Sequence, residues 1–428
     1  MKDLNLTRLE EFRQLKKEIR GSEEYLIVGI DVAKEKHYAY FGTATGKSLL
    51  RKLIFENSME GFGTLLHRAS AIMSQEGLTK VVYGVEPTAD YHKPLGEFLI
   101  SNGQTLVLVS NGAVKQNREL LDGRWDKNDT KDCANAADLI SQGKVLYYDL
   151  PEPEIRDLRN LASLKKKLKV QEHSLRMRIR NHLVSQFFPE LDAYYGHRES
   201  ENLAIIKWCL NPPGIAAMNF EKFFQMVTTR TMGGNQQARL RSIQEAARNS
   251  VGCQITASVA FEAKMLVEHL VRIREMLGET NARIAAVCRE IPGYNSLMSI
   301  PGFGPVVTAE VITALGNPNR FTSSKQVLKL AGLDLSASRS GKNSANAEAK
   351  ISKKGKAPLR YVLYQAALIA TTRNKNFIEY FSRLIAGRER ERGIKTKMRV
   401  KVAAKMLVIA WTIWKNEEVF QGKYLLQQ

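Results

Sequence analysis

Residues 25–40 read YLIVGIDVAKEKHYAY, and the first half of that stretch decides the fold. Residues 26–30 are a short, apolar, largely β-branched run without alternation, the pattern of a strand buried on both faces. The run ends in Asp31, where polar residues begin, so a carboxylate is expected at a strand end. A second β-branched run, residues 80–85, also ends in an acid, Glu86. Asp129 and Asp132 follow at helical spacing in WDKNDTKDCANAADLI. If the two strands are neighbours, four carboxylates converge on one place. Hard divalent cations prefer carboxylate oxygens, and two of them about 4 Å apart activate a nucleophile and stabilise the leaving oxygen of a phosphodiester. The pattern points to nuclease or recombinase chemistry.

Working outward, residues 1–22 read as a charged amphipathic helix with Leu9, Phe12 and Leu15 on one side, an accessory cap. Strand signals at 26–30, 37–41 and 49–55, with a turn at 42–46, describe an antiparallel meander. Helix is expected at 61–73, strand at 81–85, helix at 91–101, strand at 105–109 and helix from 113. Strands followed by alternating helix and strand mean a mixed α/β sheet. This order, with acids at the ends of the first and fourth strands, resembles the ribonuclease H-like fold, in which ligands collect at strand ends.

The chain has 428 residues, enough for two or three domains, and 44% hydrophobic content. Its formal net charge of +20 and pI near 9.7 predict a polyanionic partner, nucleic acid before membrane. Cys133, Cys209, Cys253 and Cys288 form no Cys-x-x-Cys pair, so neither a zinc knuckle nor a disulfide framework is expected, and they read as reduced, cytosolic thiols. The N-terminus is charged throughout, unlike a secretory signal peptide. The apolar stretches 361–371 and 402–414 are too short, or interrupted by Lys405, to span a membrane.

Pro151 and Pro153 punctuate the next boundary. Residues 155–187 read as one long basic helix and 258–291 as another, which pair either with each other or with a second protomer. Residues 189–253 between them carry no readable role. At 299–317, SIPGFGPVVTAEVITALGN, the turn through Gly302 and Gly304 opens a helix whose first amides can hold a phosphate, as in the second half of a helix-hairpin-helix element. A helix is expected at 321–333, then a polar loop at 334–356, a helix at 357–372 and a strongly basic tract at 383–405. Such a tract is ordinarily a solvated face; in a chain of this charge, with Arg388, Arg390, Arg392 and Lys395, it is expected to line a nucleic-acid channel. Basic residues around a serine that precedes glycine can hold a phosphate beside a hydroxyl; the loop offers Ser340 among Arg339, Lys342, Lys353 and Lys354.

Each acid also has a bland reading. Asp31 after Gly-Ile matches the phosphate loop of actin-like ATPases, although the later glycine-rich nucleotide loops are missing. Asp132 serves equally as a first-turn helix charge. Asp126 is the rival to Asp129, and with Asn128 it is a candidate cap. His37 and His92 lie near the acids in sequence but in no spaced metal motif, so a local hydrogen-bond role is expected of them.

The motifs GIDVAKEKH, GVEPTADYH, KNDTKDCANAA, IPGFGP, GLDLSASRSGK and ISKKGKAPLRYVLYQAA, in this order, resemble the transposases of the IS one-ten family of insertion sequences, also called DEDD transposases. The resemblance covers the first 150 residues and roughly 290–415. It implies a RuvC-like domain whose tetrad, Asp31, Glu86, Asp129 and Asp132, binds magnesium or manganese. It further implies a C-terminal domain whose serine nucleophile is Ser340, and a covalent phosphoserine intermediate. Donor and target DNA, a structured noncoding bridge RNA, and a homo-oligomer from dimer to tetramer with active sites shared between protomers are its implied partners. The expected setting is the prokaryotic cytoplasm, at the nucleoid. Two departures stand out: residues 189–253 are longer than the family's connecting region, and Arg339 lies where relatives can have serine. The expected domains are an N-terminal helix (1–22), a RuvC-like domain (23–150), a helical, coiled-coil linker (151–292) and a mostly α C-terminal serine domain (293–428). A hydrolytic RuvC-type endonuclease and a non-enzymatic nucleic-acid scaffold remain the alternatives.

Overall fold

The computed structural model describes residues 2–121, 129–196, 199–228, 233–336 and 350–425, with the side chains at 2–6, 118–121, 129, 130, 199 and 336 outside that description. The chain folds into two compact units, Met1–Glu152 and Pro153–Gln428.

After α1 (Lys2–Glu18), the first unit builds a six-stranded sheet from β1 (Tyr25–Asp31), β2 (Lys36–Thr43), β3 (Ser48–Glu56), β4 (Lys80–Val85), β5 (Thr105–Leu108) and β6 (Leu146–Tyr147). Their order is β3-β2-β1-β4-β5-β6. The first three strands are an antiparallel meander, β4 and β5 add in parallel on the other side of β1, and β6 returns antiparallel. Parallel neighbours need a crossover. α2 (Met59–Glu76) supplies one between β3 and β4, and α3 (His92–Ser101) another between β4 and β5. α4 (Asn111–Leu121) and α5 (Asp129–Ser141) then lead to β6. The expected mixed sheet is present; β6, only two residues long, has too little periodicity to be read in advance.

β1 is buried from Tyr25 to Ile30, which explains why its sequence is a continuous apolar run. Leu26, Val28 and Ile30 pack on Phe62, Leu65 and Ala69 of α2 and Leu95 and Leu99 of α3. Ile27, with Val82 and Val107, packs on Leu15 of α1 and on Ala136, Ala137 and Ile140 of α5. Each such side chain contributes about 1.5–3 kcal/mol. Successive strand residues point to opposite faces, so Gly29 and Asp31 lie on the face that α5 covers. α1 behaves as the expected cap: Leu9 and Leu15 are buried, and Arg8 donates to the carbonyl of Tyr148 at 3.0 Å.

In the second unit, α6 (Pro153–Arg178) widens into a π-helical turn at Ile179–Val184 and ends with α7 (Ser185–Phe187). α12 (Ala257–Glu290) runs antiparallel to it. Arg178 bonds to Glu262 at 2.6 and 2.9 Å, Arg274 to Glu172 at 3.3 Å, and Leu158 shares a core with Cys288. The two long helices therefore pair with each other within one chain.

Between them, α8 (Glu199–Cys209), α9 (Pro212–Ala217), α10 (Phe220–Val227) and α11 (Gly234–Arg248) enclose a separate hydrophobic core that includes Phe188, Ile205, Ile215, Phe223 and Ile243. Buried Glu201 pairs with Arg239 and accepts from Gln236 at 2.6 Å, which locks α8 to α11. The stretch unreadable from sequence is thus a set of short helices whose core is completed by the two long helices, through Ile179, Leu183, Ala263 and Val267.

The remaining helices are α13 (Tyr294–Met298), α14 (Pro305–Leu315), α15 (Ser324–Ala331), α16 (Ala357–Arg373), α17 (Lys375–Ile385) and α18 (Ile394–Asn416), with β7 (Leu335–Ser336) and β8 (Lys350–Ile351) forming a short antiparallel pair. The helix expected at 321–333 is confined to α15, because Ser323 is extended and Gly332 turns left-handed with φ +65°. Trp411 and Trp414 pin α18 by donating to the carbonyls of Pro318 and Pro292 at 2.9 and 2.7 Å. Among the described residues no helix is long and apolar enough to cross a membrane. All four cysteines are free thiols.

Candidate active site and nucleic-acid interface

Asp31 is the last residue of β1, and Glu86 follows the last residue of β4. Ile30 and Val85 are partners in the parallel register, so the two acids occupy matching positions at adjacent strand ends. Alternation puts both on the α5 face, together with the paired Gly29 and Gly84. Those glycines are the seat of α5. A Cβ on Gly29 would lie 2.2 Å from the Cys133 carbonyl oxygen and 2.7 Å from the Ala137 nitrogen; one on Gly84 would lie 2.3 Å from Ile140 Cδ1. Only residues without a side chain let the helix come this close.

Asp132 lies in the first turn of α5 and is buried, 5% exposed. The next residue, Cys133, donates from Sγ to the carbonyl of Tyr38 at 3.2 Å, and Tyr38 is the cross-strand partner of Asp31. The first turn of α5 is therefore aimed at the strand ends that carry the acids. An amide network that sequence reasoning missed holds this helix to α4: Asn117 donates to Asn135 Oδ1 and Asp138 Oδ2, both at 2.7 Å, and Asn135 donates to the Val114 carbonyl at 2.7 Å. The signal available was the pair of polar residues, Asn135 and Asp138, inside the otherwise apolar ANAADLI segment.

Asp129 opens α5, its side chain outside the description, while Asp126 and Asn128 lie outside the described residues altogether. Among the described residues no three His, Cys, Asp or Glu side chains close into one metal-sized group. The donor chemistry nonetheless fits a hard divalent cation, since Asp31, Glu86 and Asp132 offer only carboxylate oxygens and come from one face of the sheet and the helix seated on it.

His37 has the local hydrogen-bond role expected of it. It is fully buried on the opposite face from Asp31, between Phe55 and Phe62, and its Nδ1 accepts from the Ala33 N–H at 3.2 Å. Burial pushes its imidazole below the usual value, which favours the neutral acceptor. With Asn57, which donates to the Lys34 carbonyl at 3.2 Å, it fixes the turn just beyond Asp31. His92 packs edge-on to Tyr148, and burial lowers its imidazole too.

In the second unit, Gly302 has φ +88°, and a Cβ there would lie 2.4 Å from the Ala366 carbonyl oxygen, so the turn packs tightly against α16. Gly304 caps α14 with open space beside it, and no side chain caps this helix end. Asp334 and Ser352 close the neck of the serine loop: the Ser352 hydroxyl donates to Asp334 Oδ1 at 2.5 Å. Arg360 donates to the carbonyls of Ala331 and Gly355 at 2.9 and 3.0 Å, bracing the same neck. Lys353, in a left-handed conformation with φ +54°, and Lys354 are exposed there. Arg339, Ser340 and Lys342 lie outside the described residues. In the basic tract Arg390, Arg392 and Lys395 are exposed, whereas Arg388 is bound in a two-pronged pair with Glu391, both contacts 2.8 Å. Arg383 pairs with Glu379.

Comparison with known proteins supplies the class. Residues 28–189, which include the acids and all of the sheet but the first three residues of β1, match the DEDD transposase family model of the IS110 group, described as a transposase. Residues 294–382, from α13 into α17, match the model described as the transposase IS116/IS110/IS902 family. The chain belongs to the IS110 family of transposases. It is similar to the insertion element IS116 uncharacterized 44.8 kDa protein of Streptomyces clavuligerus, at 20% identity over 92% of this chain and 95% of that protein. It is likewise similar to the insertion element IS900 uncharacterized 42 kDa protein of Mycobacterium paratuberculosis, at 22% identity over 92% and 96%. The DEDD domain implies an RNase H-like fold, in agreement with the mixed sheet of the first unit.

Proposed function

We propose that this transposase is an RNA-guided, site-specific DNA recombinase that cuts and rejoins DNA through Ser340, assisted by the acidic site of Asp31, Glu86, Asp129 and Asp132. The observation that carries the acidic half is the register: two carboxylates at matching ends of adjacent parallel strands, with a third on the helix seated over the same face. When bound there, magnesium or manganese supplies positive charge to the scissile phosphate. The residues of the chain do the rest. Ser340 Oγ bonds to phosphorus while the bond from phosphorus to a deoxyribose oxygen breaks, and the serine's proton passes by way of solvent to that departing oxygen, which leaves as a free DNA hydroxyl. A DNA hydroxyl then attacks the phosphoserine, releasing the serine and closing the new strand, so the bond energy is conserved without ATP. Gly302 and Gly304, in a helix-hairpin-helix-like turn, and Arg339, Lys342, Lys353, Lys354, Arg388, Arg390, Arg392 and Lys395 hold phosphates of donor and target DNA and of a structured noncoding RNA. The net charge of +20 supports such polyanionic partners. We read residues 23–150 as the RuvC-like domain, 151–292 as linker and 293–428 as the serine domain, in a homo-oligomer from dimer to tetramer.

The test is the product. Incubated with donor and target DNA and the RNA that copurifies with it, the protein is expected to yield joined strands without ATP. Free ends alone would identify a hydrolytic RuvC-type nuclease, and uncut DNA under every metal condition a binding scaffold. Sequencing the copurified RNA checks guidance: segments complementary to both DNA partners are expected, and random cellular RNA would contradict it.

A further inference from the structure

We infer that the DNA strand to be cut reaches the acidic site across the open β3 edge of the sheet, over a shelf of Ile54, Lys52 and the half-buried Tyr38. This rests on the proposed action of the acids on a phosphodiester and adds the path by which the substrate arrives.

Asp31 pairs with Tyr38, and Tyr38 pairs with Ile54, so one row runs from the acid across three strands to the sheet edge. Directly opposite residues share a face, which places the row on the side that carries α5. Lys52, two residues along β3, holds its ammonium 5.3 Å from the centre of the Tyr38 ring. Over β1, β2 and β4 this face is covered by α5, through the close approaches at Gly29 and Gly84 and the Cys133 contact to the Tyr38 carbonyl. Over β6 it is closed by α1, whose Phe12 meets Tyr147 at 5.6 Å. At β3 it is open: Ile54 is 46% exposed, Lys52 is exposed, and Tyr38 is only half-buried.

An apolar side chain, an aromatic ring and a cation, laid in a row that ends on a carboxylate, have the composition of a single-strand track. Bases or sugars pack on Tyr38 and Ile54 while Lys52 meets a phosphate. Charge argues for the same occupant. Carboxylates repel an approaching polyanion, and Lys52, which makes no ion pair with a described residue, supplies compensating charge on the same face, two strands away from Asp31. The nearby Lys36 stands opposite Glu56 in the register, so it adds little net charge.

The test uses the full-length protein and a mixed-sequence single-stranded DNA oligonucleotide, with binding followed over a salt series. Lys52→Gln is expected to reduce the slope of log affinity against log salt by about 0.7, the value for one phosphate contact on single-stranded DNA, and Lys52→Arg to restore it. Tyr38→Ala is expected to weaken binding at least about fivefold. A photo-crosslinker attached at Ile54→Cys is expected to capture the oligonucleotide. An unchanged slope with no capture, while Asp31→Asn abolishes cleavage, overturns this path and leaves the acidic site standing. Capture of protein in place of DNA makes the β3 edge a protein interface and overturns the path as well. Cleavage that survives both Asp31→Asn and Glu86→Gln overturns the acidic reading itself.

Discussion

Replacing Gly29 by alanine puts a methyl group where α5 rests on the sheet. The added carbon would stand 2.2 Å from the Cys133 carbonyl oxygen, against 3.4 Å or more for ordinary contact, so the helix must rise by about 1 Å. The obstructing atoms are backbone, which no rotamer change relieves. Overpacking of this kind costs about 1–3 kcal/mol, which for a unit of this size lowers the melting temperature by roughly 2–12 °C. The larger effect expected is on function, because the same helix carries Asp132 of the proposed acidic site, and a catalytic group displaced by about 1 Å loses roughly a hundredfold in rate. Gly63 on α2 is the control, since it is helical and exposed, and a methyl carbon added there would have nothing within 4 Å. Gly63→Ala is expected to stabilise by about 0.5–1 kcal/mol and leave strand cleavage unchanged. Thermal melting and cleavage rate, measured side by side, decide the matter. A Gly29→Ala protein with wild-type melting and wild-type rate would refute the seating of α5 on β1.

The acids come next: Asp31→Asn, Glu86→Gln, Asp129→Asn and Asp132→Asn are each expected to abolish strand cleavage while sparing nucleic-acid binding, and an active Asp129→Asn with an inactive Asp126→Asn would reassign the third ligand. His37 predicts a pH effect. Its folded value lies below the ordinary 6.5, so between the two the unfolded chain binds a proton that the folded one excludes; its contribution is present above pH 6.5 and is lost as pH falls through that window. Melting from pH 7 to 5 is expected to fall less steeply in His37→Gln than in the wild type, with His92 supplying a residual slope of the same sign. Neutralising Arg390, Arg392 and Lys395 is expected to make the salt dependence of DNA binding shallower by about one unit per lost contact, and Arg388, already paired with Glu391, to add less. An unchanged slope would make the tract a solvated surface.

Much of the first unit was legible because burial on both faces leaves an unmistakable mark: residues 26–30 and 81–85 are apolar without alternation, and each run stops at an acid. What could not be read was the seat beneath α5. Gly29 and Gly84 look like ordinary strand glycines until the register pairs them and a helix backbone is found against one of them. His37 lies six residues from Asp31 in sequence, yet strand alternation sends it to the opposite face. The two long helices carry apolar stripes equally suited to a partner chain, and periodicity cannot name the partner; complementary pairs such as Arg178 with Glu262 do so only in three dimensions. Residues 189–253 resisted reading because their helices are short and their order comes from a shared core and a buried Glu201–Arg239 pair, neither of which imposes a long-range period.

The central claim is that Ser340 attacks phosphorus. The last histidine in the chain is His269, so residues 293–428 offer no Ser-His pair, and the proposal has the acidic site and the surrounding cations activate this weakly nucleophilic hydroxyl. Trapping denatured protein with end-labelled DNA after reaction reads the phosphoserine directly. The wild-type protein is expected to retain label as a covalent adduct. Ser340→Ala is expected to bind DNA normally yet retain none and recombine nothing, with Ser336→Ala and Ser338→Ala close to wild type. A Ser340→Ala protein that still forms the adduct, or still cuts DNA efficiently, would contradict the mechanism.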